Sequence, residues 1–224
     1  MAPFPFDVIG FDLDGTLLDT SGDLAAAVNH ALHSVGRAPL SVERVRPMIG
    51  GGSRHMLAQG MAATGGCTDA ELDLLQQRLL AFYEANIAVL TGPFPGALDA
   101  LDELARRGVA LGIVTNKNER LARLLLGELG LTDRFASIVG GDTLGPGRAK
   151  PLPDLVHLMV ERCGDGRAAF VGDSIYDVTA GRAAGLPTVA VSFGFLQGPI
   201  EELGADAVID HYAELIPALE RLGG

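Results

Sequence analysis

A doubly wound α/β fold, a parallel sheet interrupted by an all-helical insertion, is the architecture this sequence predicts. Three observations predict it. From about residue 96 onward, short apolar runs bounded by Gly, Asp or Asn alternate with helical patterns. One more apolar run stands near the start, at residues 7–11 (DVIGF). Between the two lies a stretch, residues 20–91, that has helical spacing throughout and no strand-like run.

The first run predicts a strand, because a strand covered on both faces of a parallel sheet reads as continuous apolar sequence rather than as alternation. In the insertion, residues 23–34, 42–48, 53–63 and 69–87 have helical spacing. The segment 91–96 (TGPFPG) closes it with the composition of a hinge. Strands then follow at 109–115 (VALGIVT), 137–140 (SIVG), 168–172 (AAFVG), 188–191 (TVAV) and 207–209 (AVI). Helices are expected between them at 97–107, 118–129, 154–163 and 177–184. The expected organisation is a core of residues 1–19 and 92–224 carrying a helical cap of residues 20–91. Such sheets bind ligands outside the carboxyl ends of their strands, and a cap inserted there is placed to act as a lid.

Composition narrows the partners. The 17 Lys and Arg against 28 Asp and Glu give a net charge of −11, with no basic run. A nucleic-acid backbone needs clustered cations, as does an anionic membrane surface, so neither is an expected partner. The N-terminal apolar stretch is interrupted by Asp7, Asp12 and Asp14 and has no basic flank. It reads neither as a signal peptide nor as a span, which needs about 20 apolar residues. Cys67 and Cys163 are far apart and form no CxxC pattern, which fits reduced thiols and a cytoplasmic address.

The chemistry-bearing residues fall at strand ends. Asp12 and Asp14 follow the first strand directly, ahead of Gly15-Thr16. Alone, the pair is equally an acidic turn with a helix cap. As function, one carboxylate attacks phosphorus while the other handles the proton. Thr115, Asn116 and Lys117 end the strand 109–115, where a hydroxyl and backbone amides make a phosphate cradle or an ordinary helix cap. Lys150 stands before Pro151 after a Gly/Pro-rich loop. Asp173 ends the strand 168–172, and Asp177 lies one helical turn further on. Carboxylates converging at strand ends suit a hard cation such as Mg²⁺. Capping accounts for any one of these residues, but poorly for all of them on the same sheet edge.

The ordered set Asp12-Leu13-Asp14-Gly15-Thr16-Leu17, Thr115-Asn116, Lys150-Pro151 and Gly172-Asp173-Ser174-Ile175-Tyr176-Asp177 resembles the four motifs of the haloacid dehalogenase-like hydrolase superfamily. Several stretches are similar to its phosphoglycolate phosphatase branch: Leu18-Asp19-Thr20, Asp23-Leu24-Ala25, Pro93-Phe94-Pro95-Gly96 and Gly140-Gly141-Asp142. The resemblance implies a Mg²⁺-dependent phosphatase in which Asp12 is the nucleophile, forming an aspartyl-phosphate, and Asp14 the acid/base. It implies that Asp12, the Asp14 carbonyl, Asp173 and Asp177 hold the metal, Asp177 through water or by orienting Lys150. Thr115, Asn116 and Lys150 would neutralise phosphoryl oxygens. The implied substrate is a small phosphate ester, with 2-phosphoglycolate first.

The run Gly50-Gly51-Gly52-Ser53-Arg54 is similar to that branch's substrate loop, although three glycines stand where Gly-x-Gly is usual. Gly51, Arg54 and Lys117 are therefore candidates to meet substrate, Arg54 because its planar fork can grip a carboxylate. His55 is placed beside that loop. His30 and His33 are spaced i, i+3 with no third ligand in view and read as ordinary helix residues. A sugar-phosphate phosphatase or a phosphomutase would keep the same core residues. A receiver-like or non-catalytic phosphate-binding module would cluster similar side chains, but a receiver has neither the insertion nor a use for Asp14. Monomer and homodimer are both compatible with the sequence.

Overall fold

The computed structural model describes residues 4–224. Strand β1 (Val8–Phe11) leads through a short strand β2 (Leu18–Asp19) into four helices: α1 (Ser21–His33), α2 (Val42–Val45), α3 (Ser53–Ala62) and α4 (Asp69–Ala85). Strand β3 (Gly92–Pro93) returns the chain to the sheet. There follow α5 (Ala97–Arg106), β4 (Ala110–Val114), α6 (Glu119–Glu128), β5 (Ser137–Val139), α7 (Asp154–Arg162) and β6 (Ala168–Gly172). The chain ends with α8 (Ile175–Ala183), β7 (Thr188–Val191), β8 (Ala207–Ile209) and α9 (Leu215–Gly223).

Six strands form one sheet in the order β5-β4-β1-β6-β7-β8, and every pairing is parallel. The order runs outward from β1 in both directions, so the chain reverses direction beside β1. That is where doubly wound sheets open a ligand crevice. β1 is wholly buried, and its residues alternate between two apolar layers. Ile9 and Phe11 join a layer with Leu101 and Leu104 of α5 and Leu215 and Leu219 of α9. Val8 joins Leu155, Val156 and Met159 of α7 on the other face. Helices on both faces explain why the strands read as continuous apolar runs.

In the helical segment, α1 packs along α4. Leu24, Val28, Ala31 and Leu32 are buried with Leu72, Leu75, Leu79 and Tyr83, and this apolar stripe drives the pairing. Thr68 starts α4 with a capping box, its hydroxyl accepting from the Glu71 N–H while the Glu71 side chain accepts from the Thr68 N–H.

Several expectations shift. The helix expected over 42–48 is divided, α2 giving way to a 3₁₀ turn at Arg46–Met48. Pro47 has no N–H to continue the α-helical ladder. α8 starts at Ile175 rather than 177, because Ser174 and Asp177 form a reciprocal cap. The hinge-like segment 91–96 is partly ordered: Leu18 pairs with Pro93 and Asp19 with Gly92, antiparallel, so both connections to the helical segment form one ribbon. Neither that ribbon nor α9 was expected. Among the described residues, no helix is long and apolar enough to cross a membrane.

Candidate active site

Asp12 emerges directly from β1, and its N–H donates to Val171 O of β6 at 2.9 Å. This bond carries the sheet ladder one residue past the strand and fixes where the carboxylate leaves it. Gly15 turns the chain with φ +84°, and a Cβ there would stand 2.3 Å from Asp173 Oδ2. A Cβ on Gly194 would stand 2.2 Å from Asp173 Cβ. Two glycines thus let the backbone close around Asp173. Its Oδ1 accepts from Thr16 Oγ1 at 3.2 Å and its Oδ2 from the Phe195 N–H at 2.6 Å.

Lys150 reaches this cluster from the loop before α7. Its Nζ donates to Asp177 Oδ1 at 2.6 Å and to Val114 O at 2.8 Å. It also stands 2.8 Å from Asp12 Oδ1, but off the angle of a hydrogen bond, so that buried oxygen has no hydrogen-bond partner. Asp177 Oδ2 accepts from the N–H and the hydroxyl of Ser174. The helix cap and the lysine therefore occupy the two oxygens of Asp177 separately.

Asp12, Asp173 and Asp177 each offer a carboxylate oxygen within 4.8 Å of the others, and all three are buried. One ammonium against three carboxylates leaves the cluster short of positive charge. Burial first, then the Asp177 charge, pushes the Asp12 carboxyl up to about 7 against the pull of Lys150. Burial first, then the charges of Asp177 and Asp12, hold the Asp173 carboxyl well above the ordinary range. For Lys150, Asp12 and Asp177 outweigh the effect of burial and raise its pKa, keeping it cationic. A buried, oxygen-only donor set with one orphaned carboxylate oxygen fits a hard divalent cation.

The end of β4 contributes Thr115, Asn116 and Lys117. Thr115 is buried, and its oxygen accepts from the Lys117 N–H at 3.2 Å. Its own O–H remains available to donate. Asn116 Nδ2 donates to Gly50 O at 2.9 Å and to Lys150 O at 3.1 Å. That side chain ties the helical segment to the Lys150 loop, which leaves its main-chain N–H as the group able to face a phosphate. Lys117 Nζ donates to Asp14 Oδ1 at 2.7 Å and to the Tyr83 hydroxyl at 2.9 Å.

Asp12, Asp14, Thr115, Asn116 and Lys117 line one cavity of about 310 Å³. Its opposite wall comes from the helical segment, including Ile49, Gly50, Gly52, Ser53, Met56, Gln76, Leu79 and Tyr83. Lys150, Asp173 and Asp177 lie directly behind Asp12.

Not every candidate arrives at the site. Arg54 is exposed and paired with Asp69 and Asp73 of α4 at 3.1 Å. It does not line the cavity, and neither do Gly51 and His55; His55 contacts Gln59 instead. Lys117 does reach the site but is engaged by Asp14 and Tyr83. Tyr83 escaped the sequence reading, although it ends the buried stripe Leu72, Leu75, Leu79 as its one polar member. Thr16 and the Phe195 N–H were missed as well, the latter because a main-chain donor leaves no side-chain signature. Among the described residues His30 and His33 join no metal-ligand cluster, and His30 stacks on Phe82 at 4.4 Å.

Known proteins place this geometry in a lineage. The sequence-family model for haloacid dehalogenase-like hydrolases matches residues 6–185. The chain is 40% identical over 214 residues to a phosphoglycolate phosphatase of Agrobacterium fabrum, covering 93% of this chain and 90% of that one. It is 41% identical over 210 residues to a phosphoglycolate phosphatase of Caulobacter vibrioides, covering 92% and 88%. In three dimensions it is similar to a crystal structure described as a predicted phosphoglycolate phosphatase from Haemophilus somnus. The TM-score there is 0.88 at 28% identity, over 95% of this chain and 97% of that one. The agreement extends over both the sheet and the helical segment, and it makes this chain a member of the haloacid dehalogenase-like hydrolases.

Proposed function

We propose that this protein is a phosphatase that hydrolyses small phosphate monoesters through a covalent intermediate on Asp12, with 2-phosphoglycolate as its substrate. The observation that carries the reading is that Asp12 and Asp14 line one cavity in two different environments. Asp12 is backed by Lys150 and the carboxylates of Asp173 and Asp177, whereas Asp14 is held by Lys117. Two carboxylates placed differently can take two different roles. The names of the relatives support the ester, and a cavity of about 310 Å³ suits a very small one.

In this reading a carboxylate oxygen of Asp12 attacks phosphorus, and the bond to the ester oxygen breaks. Asp14 gives a proton to the departing oxygen, producing an alcohol. Asp14, now a carboxylate, takes a proton from water as the hydroxide attacks phosphorus. The acyl-phosphate bond breaks, phosphate leaves and Asp12 is restored. The Thr115 hydroxyl, the Asn116 N–H and the Lys150 ammonium stabilise charge on the phosphoryl oxygens, since positioning and electrostatics dominate phosphoryl transfer. Asp12, the Asp14 carbonyl and Asp173 would hold Mg²⁺, with Asp177 setting Lys150 beside them. The bound ion supplies positive charge to the phosphoryl group and to the nucleophile's oxygen. Residues 20–91 act as the cap that covers the ester and keeps bulk water out.

A phosphate-release screen over small phosphate esters, with Mg²⁺ and with EDTA, tests the activity. Release from 2-phosphoglycolate that requires Mg²⁺ is expected, with sugar phosphates turned over less efficiently. Asp12→Asn should fold and release no phosphate. Wild-type rates from that variant would overturn the covalent route.

A further inference from the structure

Lys117 lines the cavity but takes no part in the phosphoryl-transfer steps themselves. Its ammonium is enclosed, with the side chain 6% exposed. The charge persists because Asp14 and Tyr83 outweigh the burial that would otherwise lower its pKa. Its two hydrogen bonds go to partners from different parts of the molecule. Asp14 lies in the loop after β1, and Tyr83 sits near the end of α4 in the helical segment. At the surface of the same junction, Arg120 of α6 pairs with Glu84 of α4 at 2.7 Å.

An aspartate side chain in a loop can rotate between positions, and an acid/base group off by about 1 Å loses much of its effect. Asp14 has one of its oxygens fixed by Lys117. Lys117 in turn is fixed by an α4 residue that is itself 2% exposed and packed in the apolar layer.

We propose that Lys117 is a positioning residue for Asp14, and that the Tyr83 hydroxyl couples it to the cap, so that the acid/base carboxylate is set in place only when the helical segment is seated. The proposal rests on the phosphatase reading. It replaces the sequence-based expectation that Lys117 meets a carboxylate of the substrate. The two roles separate in kinetics. A substrate-carboxylate partner acts on binding of one class of ester, whereas a positioner of the acid/base acts on turnover of all of them.

The test compares wild type, K117M, K117R and Y83F on 2-phosphoglycolate, ethyl phosphate and 4-nitrophenyl phosphate, with thermal melts alongside. For K117M, kcat should fall about 100-fold on both alkyl esters, the scale of a general acid–base contribution, with KM unchanged within about twofold. On 4-nitrophenyl phosphate, whose leaving group needs no proton, a burst of nitrophenolate equal to the enzyme should precede slow turnover. That burst arises because attack by Asp12 survives while water activation by Asp14 does not. K117R should recover part of kcat, and Y83F should lower it about fivefold with KM unchanged. A rise in KM confined to 2-phosphoglycolate, or an unchanged kcat in K117M, would overturn the proposal. If K117M does not fold, Y83F decides, and wild-type kcat in Y83F overturns it. Failure of the phosphatase reading itself would appear separately, as no phosphate released by wild type from any of the three esters, and the proposal would fall with it.

Discussion

Asp177 Oδ1 accepts a 2.6 Å hydrogen bond from Lys150 Nζ, and both side chains are almost wholly buried. Breaking a buried ion pair usually costs about 3–5 kcal/mol, because the partner charge is stranded. Here Lys150 is not stranded, since Asp12 Oδ1 lies 2.8 Å away. Asp177→Asn also removes one of three crowded negative charges. The metal-free variant should therefore melt within about 3 °C of wild type, while its affinity for Mg²⁺ falls about tenfold or more. Melting curves across a Mg²⁺ titration check both halves. A large loss of metal-free stability would show that Asp177 serves the fold first.

The acidic cluster also predicts a pH dependence. Burial holds the Asp12 carboxyl at about 7 and the Asp173 carboxyl well above the ordinary range. Without metal, the folded protein thus binds protons that the unfolded chain releases near pH 4, so stability falls as pH rises from about 4 to about 7. In the proposed reading Mg²⁺ would take the place of those protons and bind more tightly as they leave. The melting temperature of the metal-free protein should drop between about pH 5 and pH 8. Added Mg²⁺ should raise it little at the lower pH and by about 5 °C at the higher. An equal Mg²⁺ effect at both pH values would contradict this account.

Gly194→Ala tests the closeness of the backbone around Asp173. Its Cβ would stand 2.2 Å from Asp173 Cβ and 2.6 Å from Gly15 O, neither of which is the end of a flexible side chain. The loop must move, and it carries the Phe195 N–H that donates to Asp173 Oδ2 at 2.6 Å. Mg²⁺ affinity should fall about tenfold or more, read from the Mg²⁺ dependence of phosphate release.

How far the sequence spoke for this structure depended on the range of the forces involved. Strand β6 matched its apolar run because burial on both faces leaves no polar positions to blur the ends, whereas β8, at the edge of the sheet, matched although Val208 is exposed. Asp12, Asp14, Thr115 and Asp173 were legible as candidates because each follows the end of a strand, and strand ends converge; Lys150, in the loop before α7, and Asp177, in the first turn of α8, were legible only as members of the ordered set of motifs. Arg54 was misplaced because the glycines beside it say nothing about helix phase. On α3 its side chain is turned to the exposed side, where Asp69 and Asp73 of α4 neutralise it. The link from Lys117 to Tyr83 joins residues 34 positions apart and has no local signature. Strands β2 and β3 have two residues each, too few for any periodicity to register.

The β2–β3 ribbon carries both connections to the helical segment, and a buried carboxylate stands beside it. Asp23, in the first turn of α1, is 3% exposed. Its Oδ2 accepts from the Thr91 N–H at 3.0 Å and from Thr91 Oγ1 at 2.7 Å, and both its oxygens lie 3.0 Å from the Leu90 N–H. The carboxylate thus clamps the outgoing connection to the incoming one, beside the pairing of Leu18 with Pro93. Asp23→Ala leaves two main-chain N–H groups without their acceptor, at a cost of about 2–4 kcal/mol. Asp23→Asn keeps an acceptor oxygen and should cost about half as much. Val89 and Leu90 are already about two-thirds exposed, at 69% and 67%, so a loosened connection offers a protease an apolar cleavage site. Asp23→Ala should lower the urea midpoint and speed chymotryptic cleavage beside Leu90 well beyond cleavage elsewhere. If the midpoint falls while cleavage stays evenly spread, Asp23 stabilises the whole protein without governing how the helical segment is attached.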